Sequence, residues 1–278
     1  MTSAKAQRSV FFVSDRTGIT AELLGKTLLT QFPGINFRKR TFPFVDTVEK
    51  ARTVLTKINE TALEEGYKPI VFSTLIEEKL RTALTSDKAL FIDLFADFVR
   101  RLEAELGLES SHALGLSHGM GDELVYQKRM DALNYTLSHD DGMHTNNYDR
   151  AEVILVGVSR TGKTPTCLYL AMQHGICAAN YPLTPDDFSD QALPKPLLPH
   201  RAKLYGLTIQ AERLAKIRHE RKPDSRYASL ENCQGEIRAA EALLRQAHVP
   251  VLDTTSMSVE EIAISILHGT GLIKRLKS

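Results

Sequence analysis

The eight residues Gly157-Val158-Ser159-Arg160-Thr161-Gly162-Lys163-Thr164 constrain this chain more than any other feature in it. They read G-x-x-x-x-G-K-T. An apolar run, Ala151-Glu152-Val153-Ile154-Leu155-Val156, leads into them. A helical stretch from Thr166 to His174, stopped at Gly175, leads out. Strand, glycine loop and helix in that order is the setting a phosphate-binding loop requires. The glycines let the backbone curl until its N–H groups face an anion, and the helix N-terminus adds its partial positive charge. In such a loop Lys163 reaches the terminal phosphates, and the Thr164 hydroxyl is placed to ligate magnesium. Arg160, inside the loop, is placed to touch the same anion. The pattern implies a phosphorylated nucleotide held along 157–164.

The bulk composition narrows the setting. Apolar residues make up 42% of the 278, enough for one large core or two ordinary ones. With 35 Lys and Arg against 34 Asp and Glu, nothing global favours nucleic acid or an anionic membrane as partner. Two local basic clusters, Arg38-Lys39-Arg40 and 218–222, read as solvated faces. The three cysteines, Cys167, Cys177 and Cys233, form no C-x-x-C pair, so neither a disulfide framework nor a zinc site is expected. No apolar run approaches the roughly 18 residues of a membrane span, and the first nine residues carry no apolar core of a signal peptide. The expectation is a soluble, cytoplasmic protein with reduced thiols.

Strands alternate with helices along the whole chain, which indicates an α/β fold with parallel sheets. The N-terminal block reads as a strand at Val10-Phe11-Phe12-Val13, a helix over 19–31, a strand over 41–45 and a helix over 50–65. A strand over 69–73 and an amphipathic helix within 89–105 complete it. Residues 109–121, rich in Ser, His and Gly, suit a connection, and a helix over 123–137 follows. A second block opens at Ala151 with the strand before the glycine loop. It continues with a strand over 177–181, a Pro-rich passage over 182–199 and helices over 210–222 and 234–247. The last elements are a strand over 249–253 and a helix over 259–268. The expected division is an N-terminal α/β domain over 1–148 and a P-loop kinase-like domain over 149–278 with a mainly parallel sheet. The openings of the two halves rhyme: each is an apolar strand, a Ser/Thr/Gly turn and a helix.

Several polar clusters could carry chemistry. Ser14-Asp15-Arg16-Thr17-Gly18 sits between a strand and a helix, where α/β proteins place ligands. Asp15 there could act as base or hold a metal, while the same residues also suit a helix cap. His139-Asp140-Asp141-Gly142 offers adjacent carboxylates, which suit magnesium or a base that accepts a hydroxyl proton during phosphoryl transfer. A plain Asp-Gly turn is the alternative. Asp253, in Leu252-Asp253-Thr254-Thr255, resembles the aspartate that holds magnesium in P-loop enzymes. Its place on the last strand, before the capping-box start Ser258-Val259-Glu260-Glu261, argues for architecture instead. Ala179-Asn180-Tyr181-Pro182-Leu183 ends the strand after the P-loop helix, close to where a phosphate chain would bind. Arg226, in Ser225-Arg226-Tyr227-Ala228, could bring a cation onto developing phosphate charge or pair with a surface carboxylate.

Taken together, V-F-F-V-S-D-R-T-G-I-T-A-E (10–22), D-A-L-N-Y-T-L-S-H-D-D-G (131–142), G-V-S-R-T-G-K-T-P (157–165), 178–182 and 225–230 resemble the phosphoenolpyruvate synthetase regulatory proteins. Those are bacterial relatives of the pyruvate, phosphate dikinase regulatory proteins. The resemblance covers nearly the whole chain, with Arg16 standing where a glycine is expected. It implies a bifunctional enzyme. In one direction such a protein is a serine/threonine kinase that uses ADP to phosphorylate a threonine of its target synthetase, switching the target off. In the other, inorganic phosphate attacks the phosphothreonine and pyrophosphate leaves. On this picture Lys163 and Arg160 neutralise charge on the transferred group, and Thr164 holds magnesium. A carboxylate, Asp140 or Asp141 ahead of Asp15, orients the threonine hydroxyl. The protein-kinase signatures H-R-D-L-x-x-x-N and D-F-G are absent from the sequence, so the chemistry must be organised differently. Pyruvate, phosphate dikinase as target, a small-molecule P-loop kinase, and a nucleotide-gated binding module are the competing readings. A homodimer is compatible, since P-loop sites often take an arginine from a neighbouring subunit.

Overall fold

The structure, a computed structural model, describes residues 7–110, 123–189 and 192–275. The chain divides into two compact units, 1–120 and 121–278. In the first, β1 (Gln7–Val13) pairs in parallel with β2 (Asn36–Phe42) on one side and β3 (Ile70–Ser73) on the other. β3 in turn pairs with β4 (Leu90–Asp93), giving the order β2-β1-β3-β4. Val10, Phe11, Phe12 and Val13 are all fully buried because helices cover both faces of the sheet. Phe11 and Val13 pack with α2 (Val48–Glu65) and α3 (Glu78–Ala83). Val10 and Phe12, one residue out of phase, pack with α1 (Ile19–Leu29). The helix α4 (Ala96–Leu106) follows β4.

The second unit repeats this strand order. β5 (Val153–Val158) lies between β6 (Ala178–Leu183) and β7 (Leu204–Thr208), and β8 (Val251–Asp253) pairs with β7, all parallel in the order β6-β5-β7-β8. Val153 and Leu155 face α6 (Lys163–His174) and α9 (Val259–Gly269). Ile154, Val156 and Val158 face the layer of α7 (Ala211–Arg221) and α8 (Leu230–Gln246). α5 (Glu123–Ser138) packs on α6 and β6, and α10 (Leu272–Arg275) on α9. In each unit the chain leaves the first strand toward one edge and returns to the other side. The crevice outside the carboxyl ends therefore opens between the first and third strands. The glycine loop follows β5 at that switch point.

The parallel α/β architecture agrees with the sequence reading, and so does the rhyme between the halves, which open sheets of identical strand order. The boundaries differ in informative ways. The join falls at 120/121 and not near 148, because α5 packs against α6. β2 begins at Asn36, earlier than the expected 41, because Arg38-Lys39-Arg40 lies on an exposed edge strand where charges hide the apolar period. The expected helix within 89–105 resolves into β4 followed by α4. Neither α3 nor the central strand β7 was read from the sequence. The connection expected over 109–121 lies, for 111–121, outside the described residues.

Gly157 marks the tightest approach in the second sheet. A methyl group at this position would sit 2.2 Å from the Leu207 carbonyl oxygen of β7, so no side chain fits without moving the backbone. Gly157→Ala is expected to lower the unfolding free energy by about 2 kcal/mol, the usual effect of overpacking. Urea denaturation reads this directly, and an unshifted midpoint would mean the strands separate freely here.

Candidate functional site

The loop from Gly157 to Thr164 leaves β5 and enters α6 through two left-handed residues, Arg160 (φ 79) and Gly162 (φ 90). Glycine takes this conformation freely, whereas at Arg160 it costs about 1 kcal/mol and must be held by surrounding contacts. Those contacts are present. The Thr161 hydroxyl donates to the Val158 carbonyl oxygen (3.1 Å), and the Thr254 hydroxyl donates to the Thr161 carbonyl oxygen (3.2 Å).

Lys163 is the electrostatic centre of the loop. Its side chain is 4% exposed, and its Nζ donates to the carbonyl oxygens of Gly157 (2.9 Å) and Val158 (2.8 Å). Burial pulls its pKa down to about 8, against the opposing pull of Asp141 and Asp140 nearby. The ammonium is thus held beneath the loop by two carbonyl dipoles, within the field of two carboxylates.

Those carboxylates come from the short 3-10 turn Asp140–Gly142 that follows α5. Asp140 is half-buried, and its Oδ1 accepts the Thr164 hydroxyl at 2.8 Å and also the Asn180 side-chain amide. Asn180, fully buried within β6, receives the Asp141 backbone N–H on its Oδ1 (3.1 Å), so one amide fixes both aspartates. Asp141 sits at φ 49 with its carboxylate exposed. Beneath this turn His139 stacks on Tyr135 (ring centroids 4.0 Å apart), and its Nδ1 donates to the Tyr135 carbonyl oxygen at 2.7 Å.

The structure therefore brings Lys163, Thr164, Asp140 and Asp141 together within one unit. The other sequence candidates make different contacts. Asp15 belongs to the first unit, where it is buried and its Oδ2 accepts the Ile76 backbone N–H at 3.0 Å. The helix α1 that follows it is capped by left-handed Gly18, without a side-chain cap from the turn. Asp253 is exposed and turns back on Thr255, whose backbone N–H it accepts at 2.9 Å. Arg226 is exposed in a short turn, and among the described residues its side chain makes no hydrogen bond or ion pair. Its neighbour reaches the loop instead: Tyr227 donates from its hydroxyl to Ser159 Oγ (3.1 Å). The buried Arg218, which the sequence reading assigned to a solvated cluster, donates to the Ser159 carbonyl oxygen (3.2 Å). No periodic signal marks Arg218 as interior, because α7 carries six charged residues and only two buried ones.

A magnesium ion fits the donor set. Among the described residues no group of three or more His, Cys, Asp or Glu side chains could cage a metal alone. Magnesium in phosphoryl-transfer sites needs no such cage: it takes one or two protein oxygens and fills its shell with phosphate and water. Thr164 Oγ1 and Asp140 Oδ1, donor and acceptor of one hydrogen bond at 2.8 Å, are the two protein oxygens that would hold the ion.

Comparison with known proteins adds a family to this geometry. The model of the kinase/pyrophosphorylase family matches residues 10–267. A protein of Alkalilimnicola ehrlichii is 53% identical over 98% of this chain and 99% of its own length. One of Laribacter hongkongensis is 52% identical (97% and 98%), and one of Pseudomonas savastanoi is 49% identical (98% and 100%). All three carry the provisional name phosphoenolpyruvate synthase regulatory protein. Among the described residues no helix is long and apolar enough to cross a membrane.

Lys163 makes the site pH-sensitive with a defined sign. Between pH 8 and 10.5 the unfolded chain holds the proton and the folded, ligand-free chain releases it. The contribution of this group to stability therefore rises with pH across that window. A bound diphosphate returns the lysine toward its ordinary range. Calorimetric titration with ADP in buffers of different ionisation enthalpy should show proton uptake on binding that is larger at pH 8.5 than at pH 7.5. Binding without proton uptake at either pH would show that Lys163 does not meet the phosphate.

Proposed function

The chain belongs to the kinase/pyrophosphorylase family, and from that premise we propose that it is an ADP-dependent protein serine/threonine kinase and a phosphate-dependent phosphorylase. Its target on this reading is phosphoenolpyruvate synthase, the protein named in its relatives. The observation that supports the reading is the hydrogen bond from Thr164 to Asp140, which joins the aspartate turn to the glycine loop. A site that only grips a nucleotide needs the loop and the lysine. Carboxylates beside them serve a transfer reaction.

The two aspartates divide the work. Asp140 commits one oxygen to two donors, Thr164 and Asn180, which suits a metal-side ligand. Asp141 presents an exposed carboxylate beside Lys163 and is the group that takes the proton of the acceptor hydroxyl. In the kinase direction the threonine oxygen attacks the β-phosphorus of ADP, the bond to the bridging oxygen breaks, AMP leaves, and the threonine proton passes to Asp141. In the other direction an oxygen of hydrogen phosphate attacks the phosphothreonine phosphorus, its proton passes to Asp141, the bond to the threonine oxygen breaks, and pyrophosphate forms. The threonine oxygen, as leaving group, recovers a proton from Asp141. Main-chain amides of the loop, Lys163 and Arg160 carry the charge of the transferred group, and the helix N-terminus of α6 adds its dipole. Magnesium bound at Thr164 and Asp140 would supply further neutralisation of that charge.

Incubating the chain with β-labelled ADP and purified phosphoenolpyruvate synthase should yield AMP and a labelled phosphothreonine. Labelling only pyruvate, phosphate dikinase would reassign the target, and ADP turnover on a metabolite alone would overturn the protein-kinase reading. Asp141→Asn is expected to lower turnover by about 10²–10⁴-fold with the KM for ADP little changed. Asp140→Asn should instead raise the magnesium and ADP concentrations required. Lys163→Ala should lose about 10²-fold or more in kcat/KM.

A further inference from the structure

Arg218 is the largest fully buried side chain in the described structure, and the chemistry above makes no use of it. It lies in the last turn of α7, yet its guanidinium is enclosed by four groups. Nη2 donates to the Ser159 carbonyl oxygen (3.2 Å) and to Glu236 Oε2 (2.7 Å), while Nη1 donates to the Tyr227 carbonyl oxygen (3.2 Å). The guanidinium carbon stands 4.1 Å from the centre of the Tyr227 ring. Tyr227 in turn donates from its hydroxyl to Ser159 Oγ (3.1 Å). Both the main chain and the side chain of Ser159 are therefore held from one side by a single stacked pair.

We propose that Arg218, with Tyr227 stacked on it, is the positioning residue of the phosphate loop: it holds Ser159 so that the amides beyond it converge on a diphosphate. In a trans peptide the carbonyl of one residue and the N–H of the next point in opposite directions. Turning the Ser159 carbonyl toward Arg218 therefore turns the Arg160 N–H the other way. Arg160 is also the non-glycine left-handed residue of the loop, the conformation that most needs an external hold.

A second consideration separates Arg218 from Lys163. The lysine holds the neighbouring carbonyls of Gly157 and Val158, but it must leave them to meet a phosphate. The bond from Arg218 to Ser159 makes no such demand and persists when the lysine is drawn away. Glu236 neutralises the guanidinium, so its burial does not rest on a bound anion. Lysine cannot replace it, because one ammonium cannot serve Ser159, Tyr227 and Glu236 from the two ends of a planar fork.

The inference rests on the function proposed above for its ligand, so its test is read first without one. Backbone ¹⁵N order parameters of Ser159, Arg160 and Thr161 should be near 0.85 in the ligand-free chain and fall below about 0.6 in Arg218→Lys. Tyr227→Phe removes only the hydroxyl bond and keeps the ring stack. It should show a smaller fall with a melting temperature within about 2 °C of the parent. ADP affinity should then drop by about tenfold or more in Arg218→Lys and about threefold in Tyr227→Phe. Ser159→Ala combined with Tyr227→Phe should lose no more than either alone. Should Arg218→Lys fail to fold, Tyr227→Phe and its cycle with Ser159→Ala decide the matter. Unchanged order parameters in the folded variants, or parent affinity in all of them, would overturn the inference. A parent chain that takes up no ADP would defeat the proposed function instead, leaving the order parameters to judge Arg218.

Discussion

An ammonium group taken almost wholly out of water is the constraint around which the second unit is built. Lys163 is 4% exposed, and a bare buried cation would cost several kcal/mol. The loop offsets this with the carbonyls of Gly157 and Val158, and the turn after α5 with two carboxylates. Each solution imposes geometry elsewhere. Carbonyls turned down onto the lysine require a sharply curled backbone, which Gly157 permits by standing against Leu207 where no side chain fits. Carboxylates near the lysine require α5 to end beside β6, and the buried Asn180 meets both aspartates there. The same compensation that keeps Lys163 buried leaves it poised for an anion, because a phosphate supplies more negative charge than two carbonyl dipoles.

Like charges placed together are differentiated by their hydrogen bonds. Asp140 and Asp141 are adjacent in the chain, yet the first is half-buried and doubly donated to while the second is exposed. The left-handed backbone at Asp141 is what turns consecutive side chains into different surroundings. Repeating one residue type and varying its donors is how carboxylate pairs acquire separate roles. On the function proposed above, Asp141 serves both directions, taking the proton of the attacking hydroxyl in one and relaying a phosphate proton to the leaving threonine oxygen in the other.

What could be read from the sequence follows the range of the interactions concerned. The glycine loop is local: eight residues and their flanks carry its conformation. The aspartate turn was recognisable as chemically dense, but its alternative as a plain Asp-Gly turn stood until the bond to Thr164, across 24 positions, was in view. Arg218 was misread as part of a solvated cluster. Its burial depends on Ser159, Tyr227 and Glu236, up to 59 positions away, and on a helix otherwise polar enough to look exposed. Strands β2 and β7 were misplaced or missed for a related reason. One is an edge strand bearing Arg38-Lys39-Arg40, and the other is five residues long behind a Pro-rich passage.

The two units show how little the strand order alone decides. Both have the order second, first, third, fourth, and both open a crevice after the first strand, followed by a turn rich in Ser, Thr and Gly. In the second unit Lys163 begins the helix that leaves the turn, and a cation sits beneath the loop. In the first, Ile19 begins the helix and is 60% exposed, so no cation stands in the corresponding place. The turn instead contains Asp15, whose carboxylate takes up the Ile76 amide from the loop after β3. A backbone N–H that could have faced an external anion is satisfied by an internal one. The fold supplies the opening in both cases. Whether phosphate chemistry follows depends on the sign of the charge placed there, which is a matter of two or three side chains and not of topology.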